Sequence, residues 1–268
     1  MTSALKQVRH RILSLWRFFG FDPRTTWVNL SRTPSFLAQL GQYQRLNTDP
    51  SFRAKLSSLW PILHDSGQAA GIQDWVYFHQ DLWAARKIFC RRPARHVDIG
   101  SRVDGFISHL LVFMPVCLVD IRPLTREVTG LSVVTDDATD LRMFESGTVD
   151  SLSSLHAAEH FGLGRYSDPV DPAAWRRFMK SLQRVLAASG RLYFSVPIGR
   201  QRVVFNAHRI FDPQTILDTF DALDLVSFSF LDDKSRLHEN VPPEQAQGLE
   251  NGCGLFEFTK QSASGIQA

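Results

Sequence analysis

Cysteine is scarce in this chain, with three in 268 residues. Cys90, Cys117 and Cys253 lie far apart and show no Cys-x-x-Cys or Cys/His spacing, so neither a disulfide framework nor a zinc site is expected. Reduced, buried thiols are the default, and they favour a cytoplasmic home. Long apolar runs are missing as well. No stretch of about eighteen uncharged apolar residues occurs, which argues against a membrane span. The N-terminus lacks the apolar core and small-residue cleavage site of a signal peptide, so export is not expected. An excess of one charge is also wanting: 30 Lys+Arg against 27 Asp+Glu leave a formal +3. That is far from the balance of a dedicated polyanion binder, and no nucleic-acid partner is implied. Internal repeats are absent too.

What the chain does have is apolar material, with 44% hydrophobic residues and 20 Phe, ample to offset the ordering entropy of a folded core. Its distribution is uneven. Residues 1–92 read as a helical extension, residues 93–260 alternate short apolar runs with amphipathic stretches in a βαβ rhythm, and residues 261–268 read as a flexible tail. Leu5 to Phe21 sets Lys6, Arg9, Arg11 and Arg17 beside an apolar stripe, a basic amphipathic helix. It either packs on the domain or lies on an anionic membrane surface.

Within the second part, His96–Gly100, Val116–Asp120, Leu131–Thr135, Val149–Leu155 and Arg191–Val196 each have the look of a buried parallel strand. Val103–Phe113 and Ala173–Ala187 carry helical periodicity, the latter opened by Asp171 and Pro172 and closed by Gly190. A helix over about Asp212–Leu223, a strand near Leu225–Leu231 and a final strand Gly254–Lys260 complete the pattern. The expected architecture is α/β: a Rossmann-like, mostly parallel twisted sheet with helices on both faces.

In such a sheet ligands meet the carboxyl ends of the strands, and here those ends carry acids. The first strand ends Asp98-Ile99-Gly100, where glycine permits a sharp turn close to a ligand and Asp98 can accept from an amino group. About twenty residues on, the second ends Asp120-Ile121, where a carboxylate can take both hydroxyls of a ribose. The competing reading makes Asp120 a cap or a partner of Arg122. The third strand ends Asp136-Asp137-Ala138-Thr139, with an acid able to accept from an adenine amino group. The fourth runs into His156-Ala157-Ala158-Glu159-His160. A histidine there can deprotonate a hydroxyl as it attacks a methyl group. Alternatively His156 stacks on a cofactor while Glu159 and His160 only bond loop backbone. Arg165 and Tyr166 in the following loop, and Asn206 and His208 further on, are candidates to shape a pocket for an acceptor.

With VDIGS, VDIRP, DDAT and SLSSLHAAEHFG as successive motifs, the chain resembles class I S-adenosylmethionine-dependent methyltransferases. WRRFMKSLQRVLAASGRLYFSVP resembles their helix-plus-strand. More narrowly, HVDIGSRVDGF, SLSSLHAAEHFGLGRYSDPVDP and FNAHRIF resemble the family called domain of unknown function 268. That resemblance implies S-adenosylmethionine as cofactor, a small-molecule or glycan acceptor, and a place in polysaccharide biosynthesis. Carried onto this sequence, it puts the cofactor on Asp98, Gly100, Ser101, Arg102, Gly105, Asp120, Ile121, Asp137 and Ala138, with His156, Glu159 and His160 as catalytic residues.

One departure stands out. The usual first motif continues Gly-x-Gly-x-Gly, whereas here Ser101, Arg102, Val103 and Asp104 separate Gly100 from Gly105. Arg102 either crowds the methionine moiety or grips its carboxylate. The first possibility leads to a non-catalytic module docking on a biosynthetic enzyme. A nucleotide-sugar or dinucleotide enzyme ranks last, because a full glycine fingerprint and a Tyr-x-x-x-Lys pair are both lacking.

Overall fold

The computed structural model describes residues 19–63, 74–166 and 168–261. The expected basic helix falls almost wholly outside them, as does nearly all of the expected tail. No helix among the described residues is long and apolar enough to cross a membrane.

The chain divides into two compact units, Met1–Gly71 and Ile72–Ala268. The first holds α1 (Pro23–Leu46), opened by the Asp22 carboxylate accepting from the Arg24 amide and by Pro23 in the first turn. The second unit begins some twenty residues earlier than the expected boundary at Arg92. The reason is α2 (Trp75–Arg91), capped by Asp74, whose carboxylate accepts from the Val76 and Tyr77 amides. Its Trp83, Ala84 and Ile88 belong to one of the apolar clusters of the sheet, so the helix cannot be assigned to a separate extension.

After α2 the chain runs through β1 (His96–Ile99), a π-helical turn Val103–Ile107 leading into α3 (Ser108–Leu111), β2 (Val116–Asp120), β3 (Leu131–Thr135) and β4 (Val149–Leu155). Then come a short turn of helix at Ala158–His160, α4 (Ala174–Val185), β5 (Leu186–Ile198), the small hairpin β6 (Arg202–Val204) and β7 (His208–Ile210), and α5 (Pro213–Thr219). β8 (Asp224–Leu231), β9 (Leu237–His238) and β10 (Gly252–Thr259) end it. The main sheet has the order β3-β2-β1-β4-β5-β10-β8-β9. β1 to β5 are parallel, and β10 runs antiparallel to both β5 and β8.

Alternation along the strands sorts the core into two layers. Val119, Phe194 and Phe256 face the layer built by Phe178 and Leu182 of α4 and Ile216 of α5. Their neighbours Leu118, Tyr193 and Leu255 face α2, Phe106 and Leu110. α4 ends at Val185, because Leu186 turns extended and already pairs with Val149 of β4. β5 is therefore longer at its start than apolarity predicts. The three cysteines are free thiols, but only Cys253 is buried and Cys90 is exposed, which corrects the expectation of three buried thiols.

Candidate functional site

The order of strands reverses at β1, whose neighbours are β2 on one side and β4 on the other, and a crevice opens at such a point beyond the carboxyl ends. A hollow of about 400 Å³ lies there, within the range of small-molecule sites. Its walls come from four strand ends: Gly100 after β1, Asp120 and Ile121 after β2, Asp137 and Ala138 after β3, and His156 after β4. Gly100 makes its turn at φ +76, and a Cβ there would come within 3.1 Å of the Ala157 side chain, so the close approach needs glycine.

Asp98 does not reach this hollow. It is fully buried and accepts from the Ser101 amide at 2.9 Å, from the Ser101 hydroxyl at 2.8 Å and from the Ser153 hydroxyl. Behind Ser153 stands His96, whose two ring nitrogens meet Ser153 and Ser151 at 2.8 and 2.7 Å. Desolvation pushes the Asp98 carboxyl up to about 6 and the His96 imidazole down to about 3. Asp98 and Ser101 thus brace the turn from below. Gly105 is likewise off the hollow, packed so closely on Asp81 that a Cβ would come within 2.5 Å of its carboxylate.

Arg102 lines the rim without filling the hollow. Its guanidinium pairs with Asp104 through bonds of 3.0 and 2.9 Å and lies 5.5 Å from the Tyr77 ring. Asp120 faces the hollow but is held by Arg122, which donates its amide, Nε and Nη2 to the carboxylate at 2.8, 2.9 and 2.7 Å. Asp137 caps the next turn, accepting from the amide and hydroxyl of Thr139.

At the end of β4 three titratable groups meet. His156 adopts φ 52, a conformation rare outside glycine, and its amide donates to Ser195. Its Nε2 lies 3.2 Å from the Cys253 thiol. Glu159 is buried, 3.9 Å from His156 Nδ1 and 3.8 Å from His160 Nε2. Both distances are too long for hydrogen bonds, and Oε2 has no partner among the described residues. Burial therefore pushes this carboxyl up to about 8. Burial also pushes His156 down to about 3 and His160 to about 4. His160 Nδ1 meets the Ala207 carbonyl at 2.7 Å. A carbonyl only accepts, so Nδ1 carries the hydrogen and Nε2 keeps a free lone pair.

His160, His156 and Tyr166 line the hollow; Glu159 stands behind the histidines. Arg165 is exposed and outside the lining residues, its guanidinium resting on the Tyr166 ring. Asn206 is exposed in the turn of the β6–β7 hairpin and His208 is half-buried, so this pair lies beside the hollow and outside its walls. Tyr77 and Arg122 also line it and were not singled out in sequence. Tyr77 sits on a helix that in sequence reads as part of the extension, and Arg122 reads there only as a partner of Asp120.

Compared with solved structures, the second unit has the Rossmann-like methyltransferase fold. It is similar to the 1,6-didemethyltoxoflavin-N1-methyltransferase of Burkholderia thailandensis, whose structure holds 1,6-didemethyltoxoflavin and S-adenosylhomocysteine. The TM-score is 0.51 at 16% identity, over 70% of this chain and 81% of that one. A Galdieria sulphuraria protein provisionally assigned as a sarcosine dimethylglycine methyltransferase gives 0.51 at 13% identity, over 68% and 86%. In sequence, residues 127–245 match the family described as Caenorhabditis protein of unknown function, DUF268. No curated protein matches the chain in sequence.

Proposed function

We propose that the protein is an S-adenosylmethionine-dependent methyltransferase acting on a small-molecule or glycan acceptor. The observation that carries this reading is the convergence of Gly100, Asp120 and Asp137, from three adjacent strand ends, on one hollow that also receives His160. The residues present fit the cofactor. Asp120 is placed to share its oxygens between Arg122 and a ribose diol, Asp137 and Ala138 border the space for the adenine, and Arg102 at the rim can meet the methionine carboxylate. Because Arg102 is drawn outward by Asp104, the crowding that favoured a non-catalytic module is relieved.

When bound, the cofactor supplies an electrophilic sulfonium methyl. The chain must align an acceptor with it and remove one proton. His160 is suited to that removal, since it is neutral near pH 7 and its Nε2 is free to accept. Glu159, once ionised, favours the imidazolium that results. It touches no acceptor and is a positioning residue. His156 forms the wall beneath.

Calorimetry with S-adenosylhomocysteine tests the proposal. Micromolar binding, about 8 kcal/mol, is expected, with Asp120→Ala weakening it and NAD giving no heat. Absence of both heat and thermal shift with S-adenosylhomocysteine overturns the assignment.

A further inference from the structure

Tyr166 is a meeting point of charge beside the proton-accepting histidine. Two guanidinium groups rest on its ring, Arg122 at 4.8 Å and Arg165 at 5.1 Å from the centroid. The same ring stands edge-on to His160 at 5.5 Å. The arginines that line the hollow each have a carboxylate: Arg102 has Asp104, Arg122 has Asp120, and Arg177 has Asp171. Arg165 has none among the described residues. Its Nη1 donates to the Ala207 carbonyl at 2.9 Å and approaches His160 at 3.5 Å, and among the described residues Nε and Nη2 meet no acceptor. Its charge acts locally: Arg165 lowers the proton affinity of Glu159, His160 and His208, each after burial has set the main shift.

We propose that the acceptor carries an anionic group, a carboxylate or a phosphate, received by Arg165 together with Arg122 on the Tyr166 ring. The inference rests on the methyl-transfer reading and names the class of acceptor for that same site. A planar guanidinium with two donors to spare matches the paired oxygens of either anion. Arg122 joins it when a ribose diol takes a share of Asp120, because guanidinium N–H groups are then released at the rim. Such an anion, anchored on this stack, places its neighbouring hydroxyl or amine next to His160. A neutral acceptor would leave Arg165 without a carboxylate or phosphate to meet.

The test uses the full chain saturated with S-adenosylhomocysteine, whose own binding is measured first. Failure at that step refutes the methyl-transfer reading and with it this one. The saturated protein is then titrated with inorganic phosphate, glucuronate and glucose at constant ionic strength, following the arginine Nε–H resonances by NMR. Phosphate or glucuronate is expected to move the Arg165 resonance in a saturable way while glucose leaves it unchanged, and the stronger of the two identifies the anion. Arg165→Gln should weaken that anion by about ten-fold and Arg165→Lys by less, in keeping with a charge-assisted pair. Affinity for S-adenosylhomocysteine should stay the same in both. If S-adenosylhomocysteine binds but neither anion saturates, if glucose does as well as glucuronate, or if Arg165→Gln binds the anion unchanged, the inference is overturned.

Discussion

Glu159 and His160 pull the protein's pH response in opposite directions. The Glu159 carboxyl is raised from the ordinary 4.5 to about 8, so between those values the folded state keeps a proton that the unfolded chain gives up. Its contribution to stability therefore falls as pH rises through that window. His156 and His160 are lowered from 6.5 to about 3 and about 4. The unfolded chain then binds protons that the folded state refuses, and stability falls as pH drops below the ordinary histidine value. Glu159→Gln removes only the first effect. Its melting temperature relative to the parent chain should be higher at pH 8 than at pH 5, and an equal difference at both would contradict a buried, protonated Glu159. Turnover of the acceptor should rise with pH, with its midpoint near 8 where Glu159 ionises, and Glu159→Gln should flatten that rise. His160→Ala should lower kcat on the order of 10²-fold or more, with S-adenosylhomocysteine affinity retained.

At the scale of elements, the loop between β4 and α4 shapes one wall of the hollow and depends on Gly162. This residue sits at φ +73, and a Cβ would come within 1.9 Å of the Asp171 carbonyl. Gly147 has a similar φ of +72 but open space around it. Gly162→Ala is expected to destabilise by about 2–4 kcal/mol and to weaken S-adenosylhomocysteine, whereas Gly147→Ala carries only the smaller cost of its left-handed backbone. Denaturant melts of the two variants decide this. The central parallel strands were legible because their two faces are covered, so apolar runs ending in acids mark them, and the edge strand β3, with no buried residue, was marked by its β-branched residues. β6, β7 and β9, of two or three residues each, are too short to leave a periodic trace. Side-chain direction at the strand ends was equally hidden. Asp98 and Asp120 both close a strand in the sequence, yet Asp98 turns down to Ser101 and Ser153 while Asp120 faces the hollow. Only packing against β4 makes that distinction. Arg102 was read correctly as the unusual residue of the first motif, but its outward pairing with Asp104 depends on local geometry that spacing does not reveal.

For the whole molecule, both clusters of buried apolar side chains lie between Trp83 and Phe258, inside the second unit. Residues 72–268 are therefore expected to fold cooperatively on their own and to bind S-adenosylhomocysteine within about three-fold of the full chain, or roughly 0.7 kcal/mol. A molten or insoluble product would show that the first unit is needed to complete the fold. Across this unit, one main-chain atom links parts far apart in sequence: the Ala207 oxygen holds both His160 and Arg165. Because the anchor is backbone, most replacements at position 207 should pass unnoticed. Inserting a single residue into the β6–β7 turn moves the chain by roughly 3.5 Å and lets go of both partners at once. The hairpin acts as a ruler, whose length matters more than its letters.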